Sequence, residues 1–302
     1  MTARSQLTSY AWLSIAAALL TIGLKTAAWR LTGSVGLLSD ALESLVNLAG
    51  AAMTLWMLSI AAQPEDEKHA HGHSKAEYFA SGFEGCLILL TALLIMVVAA
   101  ERFFHPEALT EVGLGAAVSM LSALVNFIVA RILAAAGRRR NAIALTADAR
   151  HLMTDVWTSL GIIAGVLAVK ASGWLWLDPL FAVLVAIYIA WTGAELLSLS
   201  VSGLMDKAVA PEKIAAIEAA LAPYRAAGVG FHALRTREAG ARVFVSLHVL
   251  VPGKWSVQKG HDTAEGVEAA IRGALSGAHV LTHVEPIEDP ASHLDLRLDS
   301  AA

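Results

Sequence analysis

Six stretches of this chain are each long enough and apolar enough to cross a lipid bilayer, at residues 10–31, 35–62, 78–104, 112–133, 142–169 and 179–204. The hydrocarbon core demands about 20 mostly apolar residues per helical span. Lipid offers no partner to a backbone N–H or C=O, so each span must be a helix that satisfies its own backbone. Only 16% of the residues are charged, against about a quarter in a soluble domain. The start, MTARSQLTSY, lacks a small-residue cleavage site, so the first apolar stretch is expected to be retained as a span. The net charge of −4 gives no reason to expect a nucleic-acid partner, and the single cysteine, Cys86, excludes an internal disulfide and a thiolate cluster.

Beyond Met205 the texture changes. PEKIAAIEAALAPYRAAG has apolar residues at helical spacing, GVGFHALRTREAG and the valine-rich ARVFVSLHVLVPG read as strands, Ser256 to Leu275 is helical again, and AHVLTHVEPIED is a last strand. The expected organisation is a six-helix transmembrane domain over 1–207, a small α+β domain over 208–290 and a frayed tail over 291–302. Lys68 and Lys75 lie between spans two and three, and Arg138, Arg139 and Arg140 between spans four and five. By the excess of cations in cytoplasmic loops, these loops, both termini and the α+β domain are expected in the cytoplasm.

Three polar constellations interrupt this plan. Span two carries SDALESLVN and span five ADARHLMTD, both of the form D-A-x-(E/H)-x-x-x-(N/D). Residues four apart share a helix face, so Glu43 pairs with Asn47 and His151 with Asp155. Should the two faces meet, two carboxylates, an imidazole and an amide oxygen form a four-ligand site for a divalent cation. Interhelical hydrogen bonding would explain one such residue. Four ionisable or amide groups in matched pairs at mid-membrane point to an ion site, because each charge there costs roughly 2.5–3.5 kcal/mol. Asp40 and Asp148 lie one turn away, in an outer shell or at an aqueous mouth.

The second constellation is PEDEKHAHGHSKAE, where Asp66, His69, His71 and His73 fall in one loop. Short His-rich tracts with acids bind transition metals, the rival reading being a solvated polar loop. The third comprises His232, His248, His261, His283 and Glu285, for which spacing alone favours scattered surface histidines. Asp262, His279 and His293 have still less to recommend them. Lys25, Glu84 and Glu195 face the bundle or a polar cavity without an assigned role, and Glu101 is interfacial. No H-E-x-x-H and no G-x-x-x-x-G-K-(S/T) occurs, which argues against an intramembrane metalloprotease and an ATP-binding subunit.

With these motifs in this order, the chain resembles the cation diffusion facilitator family of metal transporters. GSVGLLSDALESLVN, QPEDEKHAHGHSKAEYFA, TADARHLMTDVWTSLG, WLDPLFAVLVAIYI and LMDKA carry the resemblance, which spans nearly the whole chain. It implies a homodimer with a ferredoxin-like, metallochaperone-like cytoplasmic domain that exchanges a divalent metal for protons. It also implies that Glu43, Asn47, His151 and Asp155 form the transport site and that Asp66, His69 and His73 form a loop metal site. His232, His248, His261, His283 and Glu285 would be cytoplasmic metal ligands, and Lys75 and Asp206 an inter-protomer salt bridge. The chain departs from the common pattern at Glu43, Asn47, His71 and Glu285, where relatives often carry Asp or His, Asp, an aromatic residue and Asp.

Protons and metal compete for such a site because a metal binds deprotonated ligands. Asn47 carries no titratable proton, so coupling is expected through His151 and at least one carboxylate. Imidazole and oxygen donors without thiolate suit Zn²⁺ or Fe²⁺ first, with Co²⁺, Ni²⁺, Mn²⁺ and Cd²⁺ possible, and disfavour copper(I). The expectation is therefore an inner-membrane divalent metal/proton antiporter rather than an enzyme. The alternatives are a membrane metal sensor and a secondary transporter for another cation.

Overall fold

The computed structural model describes residues 5–32, 35–105 and 112–293. The side chains of some residues within the helices, including 35–43, are not described, so those of Asp40 and Glu43 lie outside the described residues. The chain divides into two compact units, Met1–Ser202 and Gly203–Ala302.

The first unit holds six long helices: α1 (Ser5–Thr32), α2 (Val35–Ala61), α3 (Ala76–Phe104), α4 (Val112–Arg140), α5 (Ile143–Ser172) and α6 (Leu177–Leu204). They coincide closely with the six apolar stretches. Among the described residues, Leu7–Ala27, Ala76–Phe104, Ala117–Arg140 and Pro179–Leu204 are long and apolar enough to cross a membrane, and Asn47–Ala61 is a shorter apolar segment. One boundary differs. Arg138, Arg139 and Arg140 form the last turn of α4 and not a loop. Arginine is a good helix former, and cations favour a helix C-terminus because they offset its dipole. The connection to α5 is reduced to Asn141, in the left-handed region at φ 51°, and Ala142.

Alanine lets these helices approach closely. Ala11, Ala17, Ala130, Ala144 and Ala149 pack with Leu58, Leu133, Leu145 and Leu152 in one core made by α1, α2, α4 and α5, joined by Ala76 and Ala80 at the start of α3. Small residues at the contact are the expected solution where lipid removes the hydrophobic drive between helices. The outward faces stay apolar, with Leu93, Val97, Leu184 and Trp191 each more than half exposed. This unit is the helical transmembrane domain.

A second, tighter seam joins α3 to α6. Gly85 faces Gly193, and a Cβ at Gly85 would meet the backbone nitrogen of Leu197 at 3.0 Å and the carbonyl oxygen of Gly193 at 3.2 Å. Ser200 Oγ donates to the Tyr78 carbonyl across the same seam at 2.6 Å. Gly85→Val is therefore expected to cost about 1–3 kcal/mol by overpacking, seen as a lower unfolding temperature of the purified protein. Gly23→Ala, whose Cβ would meet nothing within 4 Å, serves as the neutral comparison.

The second unit runs α7 (Pro211–Ala226), β1 (Gly230–Ala239), β2 (Arg242–Val251), α8 (Val257–Ala274) and β3 (Ala278–Pro286), closed by a short 3₁₀ turn at Pro290–His293. The sheet order is β1-β2-β3, antiparallel between the first two and parallel between the last two. The αββαβ order is the ferredoxin-like plan without its first strand. Ser256 caps α8 by accepting from the Lys259 backbone N–H at 3.2 Å. Val243, Val245 and Leu247 of β2 join Ile217, Leu221, Val267 and Ile271 of the helices in one core. Alternation then sends the even-numbered residues of β2, His248 among them, to the opposite face.

Candidate metal centres

The first cluster lies inside the helical unit. The i, i+4 spacing on α5 sets His151 and Asp155 on one face, and α2 brings Asn47 against them. His151 Nε2 lies 2.8 Å from Asn47 Oδ1. Asn47 Nδ2 donates to Asp155 Oδ2, and Asn126 Nδ2, from α4, donates to the same oxygen at 3.1 Å. All four side chains are buried. A carboxylate, an imidazole and an amide oxygen thus converge from two helices in a water-poor interior. There, polar groups must satisfy one another or hold an ion.

Of the two groups expected in an outer shell or at an aqueous mouth, Asp148 takes the buried alternative. Asp148 is 1% exposed and accepts from Ser14 Oγ of α1 at 3.0 Å, so it lies within the bundle and not at an aqueous opening. The step of seven positions from Asp148 to Asp155 is two helical turns, which leaves Asp148 on the same flank of α5, turned toward α1. Glu195 differs from expectation. It is largely exposed and pairs with Arg150 at 3.2 Å instead of facing the bundle. Glu84 of α3, given no role by sequence, is fully buried with Oε2 3.3 Å from His151 Nδ1. In the sequence Glu84 reads as bundle-facing but without a role, and Asn126 does not stand out, because each stands alone on its helix without an i, i+4 partner.

The loop between α2 and α3 forms the second cluster. Asp66 Oδ1 accepts from the backbone N–H groups of His69 and Lys68 at 2.6 and 2.9 Å, a local turn that folds the loop back on itself. His69 Nδ1 is then 3.2 Å from Asp66 Oδ1, and His73 Nε2 is 3.3 Å from Asp66 Oδ2 and 3.1 Å from His69 Nδ1. The His69 backbone N–H holds the Asp66 carboxyl below its usual range. A depressed carboxyl contributes its stabilisation above its unfolded value and loses it as pH falls through its folded one. His71 is exposed and stands outside this three-residue group, and Lys75 ends the loop at the start of α3.

Sheet register builds the third cluster. His232 of β1 is paired with His248 of β2, and His248 with His283 of β3, so three imidazoles form a row across the sheet. Glu285 Oε2 sits 2.9 Å from His232 Nε2 and 3.1 Å from His248 Nδ1, while Oε1 is 3.5 Å from His283 Nε2. Scattered surface histidines, the reading that spacing alone favoured, are thus brought together. His261 is not, since it is exposed on α8 and outside the group of His232, His248 and Glu285. His293 does come near, its ring 6.2 Å from that of His232, although its sequence context had nothing to commend it. Asp206 pairs within this unit with Arg237 at 3.1 Å. Adding Zn²⁺ at a hundredfold excess over its dissociation constant is expected to stabilise this unit by about 2.7 kcal/mol. The rise in unfolding temperature should be smaller in His248→Ala protein, whose other two clusters are intact.

Comparison with known proteins covers both units of the chain. Residues 11–205 match the cation efflux transmembrane domain, and residues 209–287 match the cation efflux protein cytoplasmic domain. The chain belongs to the cation diffusion facilitator family. An uncharacterized transporter of Synechocystis sp. is 52% identical over 283 residues, covering 94% of this chain and 91% of that protein. The cation-efflux pump FieF of Serratia proteamaculans is 31% identical over 264 residues, 87% of each chain. That of Shewanella oneidensis is 28% identical over 275 residues, 91% of this chain and 92% of the other. As a cation diffusion facilitator, the chain is a multi-pass membrane protein and a divalent cation efflux transporter, with metal ions as its substrates.

Proposed function

We propose that this cation diffusion facilitator exports Zn²⁺ or Fe²⁺ from the cytoplasm in exchange for protons. It would act by alternating access, as a homodimer in a bacterial inner membrane, with both termini and the α+β unit cytoplasmic. The observation that carries this reading is the buried convergence of Asn47, His151 and Asp155 from α2 and α5. Glu43, one turn before Asn47 on the same helix face, is the fourth member of the site. An imidazole with oxygen donors and no thiolate suits Zn²⁺ and Fe²⁺ and tolerates Co²⁺, Ni²⁺, Mn²⁺ and Cd²⁺.

The exchange follows from the chemistry of the donors. His151 binds metal only as neutral imidazole, and Asp155 only as carboxylate, so a proton taken by either expels the ion. Facing the cytoplasm, the site loads metal; facing a more acidic exterior, it unloads metal and takes up protons. The loop cluster of Asp66, His69 and His73 and the sheet cluster of His232, His248, His283 and Glu285 sit outside the spans and would bind the same metals as regulatory or recruiting sites. His261 would join the latter in the assembled dimer, and Lys75 and Asp206 would tie one protomer to its partner.

The decisive measurement is flux by purified protein in sealed vesicles across a panel of divalent metals, with internal pH recorded. Saturable Zn²⁺ or Fe²⁺ flux accompanied by proton counterflow is the expected result. Flux that ignores pH and moves no protons would overturn the exchange. A protein that binds these metals in all clusters yet carries none would be a sensor.

A further inference from the structure

We infer that Glu84 is a positioning residue of the transport site, fixing the ring of His151 so that Nε2 is the nitrogen offered to the metal. This rests on the reading of Asn47, His151 and Asp155 as the metal pathway. His151 has two distinct ring nitrogens, and they face different helices. Nε2 points at Asn47 Oδ1, 2.8 Å away, on the side where Asp155 lies. Nδ1 lies on the other side of the ring, 3.3 Å from Glu84 Oε2 of α3, an ion-pair approach that a small turn of the ring or carboxyl would make a hydrogen bond.

Which nitrogen of a ligating histidine binds metal is set by the hydrogen bond that the other makes. A metal-bound imidazole almost always gives its second N–H to a carboxylate, carbonyl or water, and that partner orients the ring and raises its basicity. The His151 side chain is nearly sealed from solvent, so water is a poor candidate for the role. Glu84 supplies a carboxylate at that spot, and its remaining oxygen, Oε1, accepts from Thr54 Oγ1 at 3.5 Å.

The surroundings are shaped to admit this carboxylate. Gly50 of α2 leaves the space it occupies: a Cβ at Gly50 would stand 2.6 Å from Glu84 Oε1 and 2.9 Å from Oε2. A fully buried carboxylate is costly in the membrane, and plain space-filling would be served better by an apolar side chain. The charge also matters to the site as a whole. Asn47 brings no charge, so a carboxylate behind His151 adds negative potential next to a divalent ion.

The test is the initial rate of Zn²⁺ flux against Zn²⁺ concentration, using full-length protein in vesicles. Glu84→Gln keeps the volume and an acceptor oxygen but removes the charge. It is expected to raise KM for Zn²⁺ about 10–100-fold, with a smaller change in maximal rate and an unfolding temperature close to that of the parent protein. Glu84→Gln with the parent's KM would overturn the assignment, since a residue that only fills space is replaced by its isostere at no cost to affinity. If Glu84→Gln does not yield folded protein, Gly50→Ala displaces the carboxylate without deleting it. It should raise KM in the same direction, and an unchanged KM there overturns the proposal equally. Parent protein that carries no Zn²⁺ or Fe²⁺ would instead refute the underlying transport reading.

Discussion

Asp155→Ala protein in sealed vesicles is expected to carry divalent metal no faster than vesicles without protein, a loss of about a hundredfold or more. Asp155 is the only carboxylate among the described residues that touches Asn47 directly, and it does so through the oxygen that also accepts from Asn126. Its removal takes from the site the charge that pairs with the ion and leaves two buried amides without their acceptor. Breaking a buried charged contact costs several kcal/mol, and each 1.4 kcal/mol is tenfold in an equilibrium. Folding is separable from transport here, because the amides can turn to each other or to water entering the small space left behind. The control is a monodisperse protein whose loop and sheet clusters still bind Zn²⁺. Flux at the parent's rate would remove Asp155 from the pathway.

Asn47→Asp is expected to change what is carried rather than whether it is carried. The substitution sets a second carboxylate against Asp155, at a contact now made by an amide N–H donor. Two carboxylates that close cannot both remain charged unless a cation or a proton lies between them. The variant should therefore bind divalent metal more tightly and release it less readily. It should also show a steeper dependence of flux on external pH, because one more proton must be taken up to expel the ion. The rank order of metals should shift as the donor set gains charge. The measurement is competition of Fe²⁺, Co²⁺, Mn²⁺ and Cd²⁺ against Zn²⁺ flux, run on both proteins at two external pH values. Identical rank order and pH dependence would show that Asn47 lies off the path.

Much of this site can be read in the sequence because helical geometry is local. The spacing of Glu43 with Asn47 and of His151 with Asp155 already places each pair on one face, and the echo between the two helices suggests that the faces meet. Asp148 shows the limit of such reading. Its position one turn from His151 is local, but its burial depends on Ser14, 134 residues away. Glu84 reads as bundle-facing and Asn126 does not stand out at all, and neither has a role until the packing of α3 and α4 on α5 supplies one. The sheet cluster is the extreme case. Its histidines and Glu285 lie on three strands, and no spacing along the chain foretells the register that aligns them. In the single chain His261 lies on α8 outside the row, while His293 sits on a terminal turn whose ring comes within 6.2 Å of that of His232.

The row of imidazoles also depends on an irregularity in β1. Between His232 and Arg235 the strand carries one residue more than its partner, and Ala233 takes a φ of +50° to absorb it. Left as a regular ladder in the register of Arg235 with Ser246, the strand would set His232 opposite Val249 and turn it to the other face. The kink thus acts as a phase adjuster, bringing the first half of the strand back into step with the second. Alanine or glycine can make that adjustment, whereas a β-branched residue resists a positive φ. A position with no imidazole of its own therefore governs whether three histidines on separate strands keep time with one another.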